Sequence, residues 1–359
     1  MRCRKIGMSR YHSLLSILSQ HVGGNAARLK CLADTVFAVS KARSVNLVKI
    51  AIDSQMATLQ TSRYRRLQRF FAEWKAPQLN IAKLILSKIP KPKDGYILSI
   101  DRTNWQFGQT HINILTIGVI IGNVAVPLVW RTLPQASKRG NSNTNHRIGL
   151  MSELLKVLPA KDIYFFAMDR EFHGKKWLSW LDKQDVTFVL RIKANTIVGS
   201  QSAREHKRSC LKQQSVWGMK LYFGKKEVDS KRTQTLYVVS NRFKSKRALN
   251  AYQRRWGIEI LFGHFKKKGL NLEDTHLRDA ERIDSLIAVV TLSFFYSFGW
   301  GIVLKNESGQ SVYIKRKSYF RAGLEHVIEM LNQPERLADQ WNQFLEWIVD
   351  GVLPRKIVV

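Results

Sequence analysis

Apolar residues recur at three- and four-residue spacing through the first ninety positions. Segments 11–18 (from Tyr11), 26–39 and 47–56 carry that spacing and predict amphipathic helices. A fourth helix is expected in TSRYRRLQRFFAEWK, capped by Thr61 or Ser62, with Arg63, Arg65, Arg66 and Arg69 crowding its first turns. Pro90, Lys91, Pro92 and Lys93 then read as a linker. Beyond it the pattern changes to short apolar runs bounded by turn residues. KDGYILSIDR (93–102) and KDIYFFAMDR (161–170) share K-D-x-Y-x-x-x-x-D-R, and each predicts a buried strand that ends in an aspartate, Asp101 or Asp169. Placed side by side, such strands would bring the two carboxylates together. A cap or turn aspartate is the ordinary explanation for either one alone; it is weaker for both at matching positions.

Between these strands HINILTIGVIIGNVAVPLVWRTLP reads as a hairpin turning at Gly122 and Asn123, and 145–158 as a helix burying Ile148, Met151, Leu154, Leu155 and Leu158. A helix near 174–183 and the strand VTFVLRIK follow. The order strand, hairpin, helix, strand, helix, strand predicts an α/β mixed sheet with helices on its faces. From 194 to 241 the chain is rich in Lys, Arg and Gln, with a hairpin expected from 216–223 and 235–240, and it reads as an insertion. Trp217 within it is expected in the core, with stacking on a displaced base as the alternative. The segment 286–304 is nineteen residues without a charge, long enough to cross a membrane. Its serines, threonine and glycines favour instead a core helix covering the sheet. Helices near 319–331 and 335–349 close the chain.

AYQRRWGIEILFGHFKKKG (251–269) is the most informative stretch. On a straight helix Tyr252, Arg255, Glu259 and Lys266 share a stripe about 60° wide, while apolar residues fill most of the remaining circumference. A helix so apolar is normally buried, and a buried stripe of charges normally faces a site. An intrahelical Glu259–Arg255 pair with a snorkelling lysine explains the same pattern about equally well. Gly263 beside the stripe would let a bulky ligand approach the backbone. Arg254 falls on the apolar side, where a structural partner is expected.

Charge and cysteine content narrow the choice. The 359 residues carry 59 Lys+Arg against 27 Asp+Glu, a net charge of +32. With 45% hydrophobic residues the chain is a folded polycation rather than a basic tail, and the partner that fits is a polyanion, most simply nucleic acid. Residues 1–90 hold 16 Lys+Arg and three acids, Asp34, Asp53 and Glu73, which makes this region the expected DNA-binding part. Cys3, Cys31 and Cys210 are scattered and odd in number, so neither a disulfide framework nor a zinc site is indicated. No signal-peptide layout precedes them, and a reducing cytoplasm fits.

Where acids are scarce, Asp101, Asp169 and Glu259 form a set. Three carboxylates packed together repel, and hard divalent cations with all-oxygen ligands resolve that repulsion. Two such ions activate the attacking oxygen and stabilise the leaving one in phosphoryl transfer. The parts suggest a metal-dependent nuclease or strand transferase on DNA.

With every spacing kept, Tyr252, Arg255, Glu259 and Lys266 reproduce the Tyr-x2-Arg-x3-Glu-x6-Lys signature. Over roughly 95–305 the chain resembles the DDE transposases of bacterial insertion sequences, the insertion-sequence-4 type. Asp101 in SIDRTNW and Asp169 in MDREFHG match the first two acids; Glu171 departs from the glycine usual there. The resemblance implies a ribonuclease-H-like core, a β-rich insertion before the last catalytic helix, and an α-helical N-terminal region. It divides the chain into 1–90, 91–194, 195–241 (insertion), 242–305 and 306–359. Asp101, Asp169 and Glu259 would hold two Mg2+ ions, which Mn2+ can replace. Tyr252, Arg255 and Lys266 would grip phosphates. Double-stranded DNA, as transposon ends and target, would be bound by a homodimer in a synaptic complex within the bacterial nucleoid, with no membrane involved. The enzyme would cleave donor DNA at terminal inverted repeats and join the 3′-hydroxyl ends to a target. A non-mobile DNA-binding or repair-nuclease derivative of the same fold is the alternative.

Overall fold

A computed structural model describes residues 12–134, 142–228, 234–306 and 312–358; Cys3 and Tyr11 lie outside them. The chain divides into two compact units. One, the sheet unit, comprises 91–103 and 113–261; the other, the helical unit, comprises 1–90, 104–112 and 262–358.

The sheet unit is built on eight strands in the order β3-β2-β1-β4-β5-β10-β9-β8. They are β1 (Tyr96–Phe107), β2 (Thr110–Ile121), β3 (Val124–Thr132), β4 (Ile163–Met168), β5 (Phe188–Arg191), β8 (Gln214–Val216), β9 (Met219–Glu227) and β10 (Thr235–Ser240). A separate two-stranded ribbon joins β6 (Ile197–Val198) to β7 (Gln201–Ser202). Strands β1, β4 and β5 run parallel, with Ile100 opposite Met168 as the last β1–β4 pair. The hairpin β2–β3 turns at Gly122–Asn123 as the pattern predicts.

Side chains alternate across β4, and each set has its own helix. Phe165 and Ala167 pack with Val189 and Val238 against α8 (Ser245–Tyr252), through Ala248, Leu249 and Tyr252. Phe166 and Met168 face the other way, onto Trp177 of α7 (Lys175–Lys183). Helix α6 (Thr144–Leu155) lies along β3 and α7. A layer of helices thus closes over each side of the mixed sheet.

Two features go beyond what the pattern predicts. The β-rich residues read as an insertion join the main sheet: β10 pairs antiparallel with β5, and β9 and β8 extend the same sheet from that edge. A short, apolar β5 at a bare edge would leave its backbone donors and acceptors unpaired, and β10 supplies them. Asp101 also does not end its strand. β1 continues to Phe107 before a turn leads into β2, so Asp101 stands where the pairing with β4 stops.

In the helical unit α1 (His12–His21), α2 (Ala26–Ala42), α3 (Leu47–Asp53), α4 (Gln60–Glu73) and α5 (Gln78–Ser87) come first. Helix α4 starts at Gln60, after Leu59 and without a side-chain cap, so neither Thr61 nor Ser62 caps it. The uncharged stretch falls within α10 (Ala280–Asn306), which is buried among helices of its own unit. Ser293 meets Ser40 of α2 through a 2.7 Å hydroxyl hydrogen bond. After the short α11 (Val312–Arg316), helix α12 (Tyr319–Asn332) crosses α10 so closely that a Cβ on Gly301 or Gly323 would collide with the backbone opposite. That backbone contact requires Gly301 of this apolar run, whereas its Gly299 makes room for the Trp347 ring. Helix α13 (Ala338–Asp350) adds Phe344 against Phe37 and Trp300.

Candidate active site

The K-D-x-Y-x-x-x-x-D-R repeat places Asp101 and Asp169 one residue beyond the last β1–β4 pair, on adjacent parallel strands. Both are half-buried. Burial pushes the Asp101 carboxyl up to about 6; the Arg102 backbone amide and Arg255 oppose the rise, while Asp169 and Glu171 add to it. The Asp101 Oδ1 atom accepts from the Arg102 amide at 2.7 Å.

The signature residues reach this point by a broken path. Helix α8 ends at Tyr252, a 3-10 turn covers Gln253–Arg255, and α9 (Trp256–Phe265) begins anew. A straight helix through 251–269 is therefore not what forms. The 3-10 turn changes the angular count, yet Arg255 still lies over the Tyr252 ring and pairs with Glu259, so these three keep a common face. Nor is α9 buried all round, since Trp256 is 59% exposed. Gly257 sets α9 against the β2–β3 turn: a Cβ there would stand 3.0 Å from Ile120 and 3.2 Å from the Asn123 carbonyl.

The result is a carboxylate cluster threaded by one guanidinium. Arg255 is 6% exposed, donates to Asp101 Oδ2 at 3.5 Å and is paired with Glu259. Burial would lower its pKa, but Tyr252, Glu259 and Asp169 outweigh that and raise it. Tyr252 donates its hydroxyl to Asp169 Oδ1 at 3.0 Å. Burial raises the pKa of this phenol, with Arg255 opposing and Asp169 reinforcing the rise. Arg191, at the end of β5, approaches the same Asp169 oxygen at 3.8 Å.

Tyr252, Arg255 and Lys266 were expected to hold phosphates, and here each has a partner inside the protein. Lys266 belongs to the helical unit, just beyond α9, donating to the Asn104 carbonyl at 2.7 Å and pairing with Glu273 at 2.9 Å. Gly263 meets little; a Cβ there would have only the Lys268 side chain nearby. Arg254 lacks the structural partner expected of it, as its buried Nε and Nη2 make no hydrogen bond. Trp217 is half-buried at φ 50° on the β8–β9 turn, its ring stacked 5.9 Å from His173 rather than sunk in the core.

Among the α4 arginines the structure separates Arg63 from the rest. Its guanidinium donates to the Ser54 carbonyl at 2.5 Å, tying α4 to the end of α3. Arg65, Arg66 and Arg69 are exposed, and the last two line a groove of about 380 Å³ with Arg28 and Lys30. Arg191, Arg147 and the Arg102–Glu171 pair were not picked out from the sequence as site residues. The repeated Asp-Arg dipeptide was the available signal for Arg102; nothing local marks the other two arginines.

The donors suit a hard divalent cation. Asp101 and Glu259 already share one positive group, and Asp169 acts electrostatically on both Asp101 and Arg255. Among the described residues no three acidic, histidine or cysteine side chains form a ready-made cage. The carboxylates thus fit a metal by chemistry, with the Arg255 guanidinium now among them.

A mixed sheet flanked by helices, with acids at the paired ends of its central parallel strands, defines a ribonuclease-H-like fold. The profile of the transposase DDE domain matches residues 92–295. That match spans more than half of the chain, which therefore belongs to the DDE transposase family. No individually curated protein matches it.

Proposed function

We propose that the chain is the transposase of a bacterial insertion sequence of insertion-sequence-4 type. It binds the terminal inverted repeats of its element, cleaves donor DNA and joins the 3′-hydroxyl ends to target DNA. The observation that carries this reading is that one buried arginine joins Asp101 to Glu259 while Asp169, held by Tyr252, acts on Asp101 and Arg255 through its charge. Carboxylates are expensive to gather without cations, and a family that transfers phosphoryl groups has a use for them.

Asp101, Asp169 and Glu259 would hold two Mg2+ ions, or Mn2+, which when bound supply an activated oxygen nucleophile and stabilise the leaving oxygen. Tyr252 orients the Asp169 carboxylate through its hydroxyl. Arg255 balances the acids until DNA enters and then turns to a phosphate, a stronger charge-assisted partner for a planar fork. Lys266 is assigned a second phosphate. The exposed Arg65, Arg66 and Arg69 supply sequence-independent affinity, and Arg63 is withdrawn from that role. A homodimer in a synaptic complex, within the nucleoid of a bacterial cytoplasm, completes the reading. The length of α10 requires no membrane, because the helix is buried inside the protein.

The test uses full-length protein and a duplex carrying the inverted repeats that flank the gene. Magnesium-dependent cleavage at the repeat ends, abolished by EDTA and followed by joining to a second duplex, is the expected result. Cutting without preference for the repeats would favour a repair nuclease. Binding without cutting would favour a non-mobile derivative.

A further inference from the structure

Strand pairing stops just before the chemistry begins. Ile100 opposite Met168 is the last rung between β1 and β4, and Asp101 and Asp169 follow it. Beyond that rung the backbones part, since β1 runs on toward Phe107 while residues 170–172 turn into a 3-10 helix. The ladder reaches only the backbone flanking that rung, so it sets where the two acid segments start and leaves the segments beyond it without further strand pairing between them.

The first cross-link past the break is made by side chains. Arg102 donates Nε to Glu171 Oε1 at 3.0 Å and Nη2 to Oε2 at 3.2 Å, a two-pronged pair between the residue after Asp101 and the second residue after Asp169. The two side chains are 16% and 22% exposed, so water screens them poorly. The geometry is the fork-to-fork arrangement that fixes direction as well as distance.

Behind this pair sits Arg147, on α6 and 5% exposed. Its guanidinium donates to the carbonyls of Ser142 (2.6 Å), Glu171 (3.1 Å) and His173 (3.2 Å), to the Ser142 hydroxyl (2.9 Å), and lies over the Phe172 ring. Burial lowers its pKa, and the charge of Glu171 works against that effect. One carboxylate thus compensates two guanidiniums while the buried arginine ties down the loop carrying it.

We propose that Glu171 and Arg102 are a positioning pair, seated by Arg147, that takes over from the sheet where pairing ends and fixes the Asp101 and Asp169 segments for divalent-cation binding. Neither residue touches the reacting atoms in this account. The inference rests on the metal-dependent reading above.

Manganese(II) binding to the full-length, DNA-free protein tests it, read by titration calorimetry well below the melting temperature of the least stable variant. Glu171→Gln and Arg102→Gln should each weaken Mn2+ affinity by about tenfold or more, the usual scale for groups that orient metal ligands. The double variant should be no worse than the weaker single, because both remove one interaction. Arg102→Lys keeps the charge and loses the fork, so it should fold readily and recover part of the lost affinity. In cleavage assays, with the active fraction fixed by the calorimetric binding stoichiometry, kcat should fall in parallel while KM for DNA stays within about twofold. Affinities within twofold of wild type in the folded single variants, or strictly additive losses, overturn the pair. If Gln variants fail to fold, wild-type affinity in Arg102→Lys overturns it as well. Absence of Mn2+ uptake by the wild-type protein would instead bring down the metal reading, and the pair with it.

Discussion

In the sheet unit Arg102, Arg147 and Arg255 are wholly or largely buried, each held by a carboxylate or a backbone carbonyl near an aspartate. In the helical unit Arg65, Arg66 and Arg69 stand exposed along one helix. The same residue type therefore does two kinds of work. Where arginine is buried its position matters and substitution disturbs geometry. Where it is exposed its charge matters and neighbours can substitute for it. A net charge of +32 describes only the second kind.

The comparison breaks most visibly if the carboxylates are dispensable. Asp101→Asn, Asp169→Asn and Glu259→Gln should each reduce cleavage by on the order of 10³-fold, several kcal/mol of transition-state stabilisation, with DNA binding nearly intact. Substantial magnesium-dependent cleavage by any one of them would remove that residue from the site.

A pH titration sets the units against each other. Asp101 has its folded pKa raised to about 6 from 3.8, so the folded state holds the proton more tightly. Its contribution to stability is present below pH 4 and lost as pH rises through 6, by at most about 3 kcal/mol. His264 in the helical unit is buried against Phe320 and Phe294, and burial lowers its pKa to about 4 from 6.5. Its contribution has the opposite sign, present above pH 6.5 and lost as pH falls through 4. Asp101→Asn should raise the melting temperature at pH 7 and remove the first slope, and His264→Phe should remove the second. Melting curves from pH 4 to 7.5 that keep either slope in its variant refute the assignment.

A sharper version compares neighbours of identical charge. Arg255→Ala should cost more than about tenfold in cleavage or end-binding, about 1.4 kcal/mol, since it removes the group shared by two carboxylates. Arg254→Met should leave activity within about threefold and raise stability by about 1 kcal/mol, because it replaces buried donors that have no acceptor. Equal activity losses at both positions would place Arg255 outside the site.

The smallest effects are expected on the exposed helix. Replacing Arg65, Arg66 and Arg69 together by Gln should lower the slope of log affinity against log salt by about 2 to 3, roughly one per lost phosphate contact. Arg63→Gln should leave that slope alone and cost about 1 kcal/mol of stability through its bond to Ser54. A slope that falls equally in both variants would mean that Arg63 reaches DNA too. Deleting 1–90 would not isolate DNA binding. Residues 12–90 share a compact unit with α10, and their loss would strip cover from its apolar surface.

Local pattern was enough to identify the strands around Asp101 and Asp169, the β2–β3 hairpin and most helices. Their signals are periodicity and turn residues within ten or fifteen positions, and matched strands with matched aspartates leave few ways to be laid together. Tyr252, Arg255, Glu259 and Lys266 were singled out by their spacing together with the resemblance to transposases. Of what those residues touch, the Arg255–Glu259 pair was legible from i, i+4 spacing, and the rest was not. The 3-10 turn at Gln253–Arg255, with α8 packed on the sheet and α9 on the β2–β3 turn, brings Arg255 to Asp101 from a distant strand. Arg102 meets Glu171 across 69 positions, and Arg147 holds carbonyls 24 and 26 residues away, contacts without any local periodicity. Which arginine faces water and which enters the core depends on the surface opposite it, and that surface exists only once the chain has folded.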